Sequence, residues 1–133
     1  MMVDVERLAS SWLRARPEVA AIVADRVVTE TPNRAVFPFL RLTLIGGSPV
    51  YSQPLWLDEA MLQIDAFGGP KVQARLLIDV VRDALAADFL GSHPGIGVVS
   101  SVNFAELSYI PDDLWEPPKP RYAATVSIYT HPE

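Results

Sequence analysis

The sequence predicts an α+β domain of two layers. A mainly antiparallel sheet of four to five strands carries one long helix on one face, and another helix lies near the N-terminus. The chain has 133 residues, half of them apolar, which is enough to bury the core of a single domain over residues 1–133. Between Leu62 and Phe89, an alternating segment passes through Gly68-Gly69-Pro70 into a long helical pattern. The predicted element order is α-α-β-β-β-α-β-β.

The first elements follow from local signals. Asp4 can cap a helix that ends at about Arg14, because its carboxylate can accept hydrogen bonds from the first turn. Pro17 suits the first turn of a short second helix, Pro17–Val23. Val27–Glu30 is predicted as a short strand, and residues 31–38 form a loop interrupted by two prolines.

The next two strands form a predicted antiparallel hairpin. Phe39–Ile45 alternates leucines with Arg41 and Thr43, and a turn-rich connector follows over about residues 46–55. The second strand runs from about Trp56 to Phe67. In all four clear strands one face is apolar and the other is small or polar, which predicts a sheet covered on one side and wet on the other. The polar sets are Arg41 and Thr43, Gln63 and Asp65, Ser101 and Asn103, and Thr125 and Ser127.

The long helix begins at Pro70, and the glycines of Gly91–Gly97 are predicted to end it through a left-handed cap. Its apolar arc consists of Ala74, Leu76, Leu77, Ile78, Val80, Val81, Ala84, Leu85 and Ala87. A surface helix needs an apolar stripe of roughly 100°, and this arc covers about twice that. The excess predicts that the helix packs both on its own sheet and on something else.

The C-terminal third predicts two more strands separated by a loop. In Val98–Tyr109, Val98, Val102 and Phe104 share one face, but Leu107 and Tyr109 have the opposite parity, so a bulge is expected near Ala105. Residues 111–120 are too rich in proline to be a helix or a central strand. Arg121–His131 is the last strand.

The composition excludes several classes of function. A formal charge of −5 argues against a surface that holds phosphate backbones. The chain has no cysteine, so it has neither a thiolate nucleophile nor a thiolate metal site. No apolar run approaches the ~18 residues that a membrane helix needs. The N-terminus lacks the apolar segment of a signal peptide.

No catalytic or metal site is predicted, and no cofactor. His93 and His131 are the only histidines, and neither has a second histidine at ligand spacing. Asp112 and Asp113 are adjacent and point apart, so a solvated loop or a charge contact with a partner protein are the alternatives. Tyr51 and Trp56 border one proline-rich loop, and Leu114 and Trp115 border the other. These side chains either anchor a protein interface or fold back over the ends of the sheet.

The order and spacing of several segments carry a resemblance to a known family. The segments are Ala15-Arg16-Pro17, Pro38-Phe39-Leu40-Arg41-Leu42, Gln63-Ile64-Asp65-Ala66-Phe67-Gly68, Arg82-Asp83-Ala84-Leu85 and Pro120-Arg121-Tyr122 with the strand ending in His131. Over its whole length, the chain resembles the tail terminator proteins of long-tailed bacteriophages, particularly those of phages that infect actinobacteria.

This resemblance implies a structural virion protein, not an enzyme, without cofactor or membrane contact. Members form a hexameric ring at the head-proximal end of the tail, stop polymerisation of the major tail tube protein, and dock to the head-completion or connector protein. DNA passes through the lumen without specific binding. A closed ring needs two different contact patches on each copy. The candidates for these patches are Tyr51, Trp56, Leu114, Trp115, Trp12, Arg75 and Arg82. Thr125 and Ser127 are candidates for the channel-facing surface.

Two alternatives remain open from the sequence. The nearer one is a head-completion or tail-to-head joining protein of the neck. The more distant one is a small-ligand-binding α+β domain or a minor enzyme that uses backbone groups and carboxylates, although no polar residues converge at a recognisable spacing.

Overall fold

The computed structural model describes residues 3–50, 56–115 and 117–133. The helices are α1 (Val5–Arg14), α2 (Pro17–Val23) and α3 (Lys71–Asp88). The strands are β1 (Val27–Val28), β2 (Phe39–Pro49), β3 (Asp58–Phe67), β4 (Gly91–His93), β5 (Gly97–Tyr109) and β6 (Arg121–His131). In this part of the chain the strands form one sheet in the order β1-β2-β3-β6-β5-β4. All neighbours are antiparallel except β1 and β2.

The α+β class is confirmed, but the predicted strand number and helix arrangement are wrong in detail. The sheet has six strands, because the segment after α3 forms β4 and pairs with the start of β5. Gly91 is not the cap of α3. Phe89 takes that position in a right-handed conformation, and Gly91, at φ 114°, turns the chain into β4. The three helices all contribute side chains to one core with the sheet.

Local interactions explain the first two helices. The Asp4 carboxylate accepts a hydrogen bond from the backbone N–H of Arg7 at 3.1 Å, as an N-cap residue does. Pro17 occupies the first turn of α2. Arg16, just before it, contacts Glu18 at 2.9 Å and Asp88 at 2.6 Å, so the start of α2 is joined to the end of α3.

The β2–β3 hairpin is longer than the alternation predicted. Pairing runs from Phe39 opposite Phe67 to Pro49 opposite Asp58, with a register shift between Leu44 and Gly46. Beyond that shift the two strands continue as an arm past the start of α1. Just before the shift, the Leu44 N–H donates to the Glu6 carboxylate at 2.7 Å, which joins the base of the arm to α1.

Strand β5 contains two bulges, of which one was predicted. The register shifts between Phe104 and Glu106, which confirms the bulge near Ala105. A second shift lies between Val99 and Ser101. Because of it, Val99 and not Val98 is buried in the core, so the predicted inward position of Val98 is wrong.

The two faces of the sheet differ less than the sequence predicted. The face under the helices is apolar except at its Asp58 end, where Thr130 lies opposite Asp58. The opposite face, called here the far face, is solvated only in part. At the Phe67 end of β3, the rings of Phe39 and Phe67 are stacked with their centroids 4.5 Å apart. The centroid of the Trp115 ring lies 5.5 Å from that of Phe67. Asp65, predicted to be solvated, is fully buried. Its carboxylate pairs with Arg41 of β2 at 3.0 Å and with Arg121 of β6 at 3.9 Å.

Thr130 gives a first testable prediction. Its side chain is fully buried, and its hydroxyl has no hydrogen-bond partner among the described residues. A buried, unsatisfied hydroxyl costs free energy that an apolar group of the same shape does not. We expect Thr130→Val to raise the free energy of unfolding by about 1 kcal/mol, measured by urea denaturation. A decrease would show that the hydroxyl is satisfied in solution.

Candidate functional site

The outer face of α3 carries the apolar surface that the helix does not bury. The core takes Ala74, Leu77, Ile78, Val81, Ala84 and Leu85. Val80 is half-buried. Val72 and Leu76 remain 75% and 55% exposed. They lie one turn apart on the same side of the helix, so they form a short apolar row that faces solvent.

The charged face of α3 lies beside this row. Arg75 contacts Asp79 at 3.0 Å and Arg82 contacts the same carboxylate at 3.7 Å, so both predicted interface arginines are exposed but paired within the helix. The hydrogen bond to Asp79 raises the pKa of the Arg75 guanidinium above its ordinary value, and the charge of that carboxylate adds to the effect. Lys71 differs: its ammonium lies 4.3 Å from the centre of the Tyr109 ring and forms no ion pair within the described residues.

Trp12, another predicted interface residue, is half-buried and largely occupied within the chain. Its ring lies 4.9 Å from that of Phe89, and the Arg16 guanidinium lies 4.8 Å above it. Trp12 therefore links α1 to the end of α3. Only part of its ring is available to another molecule.

The first proline-rich loop is only partly described. Tyr51 lies outside the described residues. Trp56 is about half exposed, and its ring stacks on His131 at 4.1 Å with an interplanar angle of 19°. This places Trp56 beside the end of β6, at the far end of the hairpin arm.

The second loop is anchored at one residue and exposed at the next. The Trp115 ring lies 5.3 Å from Phe37 and 5.5 Å from Phe67. Asp112, which is buried, accepts a hydrogen bond from the Leu114 N–H at 2.9 Å. Leu114 itself is 84% exposed. Trp115 thus covers the sheet end, while Leu114 is presented to solvent.

A buried ionic cluster, which was not predicted from the sequence, joins the strands near the Phe67 end of the sheet. The Asp65 carboxylate contacts Arg41 at 3.0 Å and Arg121 at 3.9 Å, and it accepts a hydrogen bond from the Gln63 amide at 3.0 Å. Three strands, β2, β3 and β6, contribute to it. A signal was present in the sequence, since the hairpin register places Arg41 directly opposite Asp65 and opposite charges pair across strands.

The rest of the far face is polar and open. Thr125 and Ser127 are half-buried there, and Ser127 donates to the Glu59 carboxylate at 2.6 Å. The Glu59 carboxylate raises the pKa of the Tyr129 phenol above its ordinary value, mainly through its negative charge. The strip between the hairpin arm and β5 therefore carries hydroxyls and a carboxylate.

A groove opens at the Asp58 end of the sheet, between the start of α1 and the hairpin arm. Its volume is about 620 Å³. The lining is Val3, Asp4, Val5, Leu44, Gly46, Gly47, Asp58, Glu59, Ala60 and Thr130. Most of this wall is apolar, with the carboxyl groups of Asp4 and Asp58 beside it. We call it the arm groove.

The described residues contain neither a candidate metal site nor a candidate membrane span. No group of three or more His, Asp and Glu side chains is placed to hold a metal ion. None of the three described helices combines the length and apolar character required to span a bilayer.

The fold is similar to that of a chain in the solved virion of a native gene transfer agent particle. The TM-score is 0.67 at 14% sequence identity, and the match covers 92% of this chain and 91% of that chain. At this identity the likeness shows the fold. Among curated proteins, no sequence matches this chain.

The sequence itself shows the family. The model of tail completion protein gp17 matches residues 10–115, from α1 to the loop after β5. The chain therefore belongs to the family of tail completion protein gp17. It is a structural protein of the phage virion, and the predicted resemblance to the tail terminator family is confirmed at the level of a tail-completion/terminator family.

Proposed function

We propose that this protein is the tail terminator of its phage. In this role six copies close into a ring on the head-proximal end of the tail tube. The ring stops addition of the major tail tube protein and offers its other surface to the head-completion or connector protein. The protein acts by assembly alone, without a catalytic group or a cofactor.

One observation carries the proposal beyond family membership: α3 exposes an apolar row that its own domain does not cover. Full burial of a valine or leucine side chain contributes about 1.5–3 kcal/mol each. In a ring of identical copies, every copy can bury this row against a different surface of its neighbour.

The composition of the far face fits a surface that lines the channel for DNA. Thr125 and Ser127 present hydroxyls, Glu59 presents a carboxylate, and the chain as a whole carries a charge of −5. A lining without clustered Lys and Arg does not retain phosphate backbones. Cryo-electron microscopy of assembled tails tests this orientation, and Thr125 and Ser127 buried against a neighbouring protein would contradict it.

Growth of purified tail tubes tests the function directly. Added to polymerising tube protein, this protein is expected to stop elongation at substoichiometric amounts, because only tube ends are capped. Negative-stain images should show short tubes, each with a ring at one end. Unchanged tube length together with binding to filled heads would refute termination and would instead assign the protein to head completion.

A further inference from the structure

We propose that the arm groove of one copy receives the α3 ridge of the next copy, where the α3 ridge is defined as Lys71, Val72 and Leu76. This pairing supplies the two unlike patches that ring closure requires, and it rests on the proposed terminator ring.

The shapes and polarities correspond. The apolar part of the ridge consists of two exposed aliphatic side chains, Val72 and Leu76, on the solvent face of a helix. The groove is lined by aliphatic side chains, among them Leu44, which is about half exposed, and Val5. Its volume of about 620 Å³ is that of an open cleft. Insertion of the ridge removes apolar surface from water on both copies.

The charges correspond as well. Lys71 stands at one end of the ridge, whereas Asp4 and Asp58 stand at the groove. Within the described residues, none of the three takes part in an ion pair. Leu114, the most exposed of the large apolar side chains in the described residues, follows Asp112 and Asp113 in the chain. A carboxylate next to Leu114 would meet the carboxylates of the groove, so charge favours the ridge as the occupant.

The two surfaces lie at opposite ends of the molecule. Asp58 begins β3 and Phe67 ends it, and α3 starts only four residues later at Lys71. A ten-residue strand spans about 30 Å. One copy therefore cannot place its own ridge in its own groove. A head-to-tail row leaves a free ridge at one end and a free groove at the other until the row closes.

Cysteine crosslinking tests the contact, since the natural chain has no cysteine. We combine Val72→Cys on the ridge with Leu44→Cys in the groove and oxidise the protein while it caps tubes. The expected result is a ladder of covalent oligomers on non-reducing gels, up to the size of the ring. The matched control combines Leu44→Cys with Val36→Cys, a similarly exposed valine that is not part of α3, and should give at least about tenfold less crosslinking if the contact is specific.

Charge reversal gives a second, independent test. Lys71→Glu or Asp58→Lys alone should weaken ring formation about tenfold by placing like charges together, and the double variant should restore it. Arg34→Glu, in an exposed loop, is the control for a change of net charge. Ring formation is counted at tube ends by electron microscopy.

The outcomes separate this inference from the proposed function. If the unmodified protein caps tubes but the ridge–groove cysteines crosslink no better than the control pair, the contact is wrong and the terminator role stands. If the unmodified protein neither forms rings nor stops tubes, the proposed function fails and the contact fails with it. Loss of capping in both single charge variants, with rescue in the double variant, supports both.

Discussion

Replacement of Asp65 by alanine should lower the free energy of unfolding by about 3–5 kcal/mol, because it leaves the mostly buried Arg41 guanidinium without a carboxylate partner. The Asp65 carboxylate is fully buried, and Arg41 and Arg121 approach it from the two neighbouring strands. Both arginines are themselves mostly buried. A small domain has a total stability of about 5–15 kcal/mol, so this variant is expected to lie near the limit of folding.

Asp79→Ala is the matched control for this effect. Asp79 also pairs with two arginines, Arg75 and Arg82, but on the exposed face of α3. Exposed ion pairs contribute at most about 1 kcal/mol, so this variant should unfold at nearly the urea concentration of the natural chain. Equal losses in the two variants would show that the buried cluster is no more important than a surface pair.

Gly68→Ala should destabilise the protein by about 3 kcal/mol, at the upper end of the cost of overpacking. A Cβ atom at Gly68 would lie 2.6 Å from the backbone nitrogen of Ala74 and 2.8 Å from the backbone oxygen of Pro70. Neither atom can move unless the first turn of α3 moves. Since the α3 ridge begins in that turn, the variant should also cap tubes poorly.

The neighbouring glycine provides the control. A Cβ atom at Gly69 would meet only the side-chain oxygen of Gln73, at 3.5 Å, which is an ordinary contact. Gly69→Ala should therefore leave the melting temperature unchanged or slightly higher, because alanine restricts the unfolded chain. Thermal unfolding followed by circular dichroism compares the two. A Gly68→Ala protein as stable as Gly69→Ala would contradict the close approach of the helix to the strand end.

Elements with strong local signals were predicted almost residue by residue. Asp4 as a cap and Pro17 in a first turn define α1 and α2 through contacts a few residues apart. Strand β6 alternates without interruption, and its bounds were predicted as observed. In contrast, β4 has only three residues and no alternation. Strand β4 forms because it pairs with the edge of β5, and the three residues of β4 alone do not predict this pairing.

Predictions about the far face were less successful, because they depend on contacts between distant segments. Alternation alone assigns Asp65 to solvent, whereas in the structure it is buried beside Arg41 and Arg121 from the two neighbouring strands. The excess apolar arc of α3 was predicted from the helical wheel, and Leu76 is indeed exposed. The roles of Trp12, Trp56, Leu114, Arg75 and Arg82 at an interface remain predictions, since such roles depend on partner molecules.

The bulges in β2 and β5 have a consequence for the behaviour of the isolated protein. Among the described strands, β1 covers only two residues of β2, and β4 covers only three residues of β5, so both flanks of the sheet leave long stretches of peptide backbone uncovered. Such borders invite unlimited stacking of chains. The irregular residues interrupt the regular spacing of amide groups on each border. The bulges therefore disfavour edge-to-edge aggregation of a protein that is itself proposed to stop the polymerisation of the tail tube.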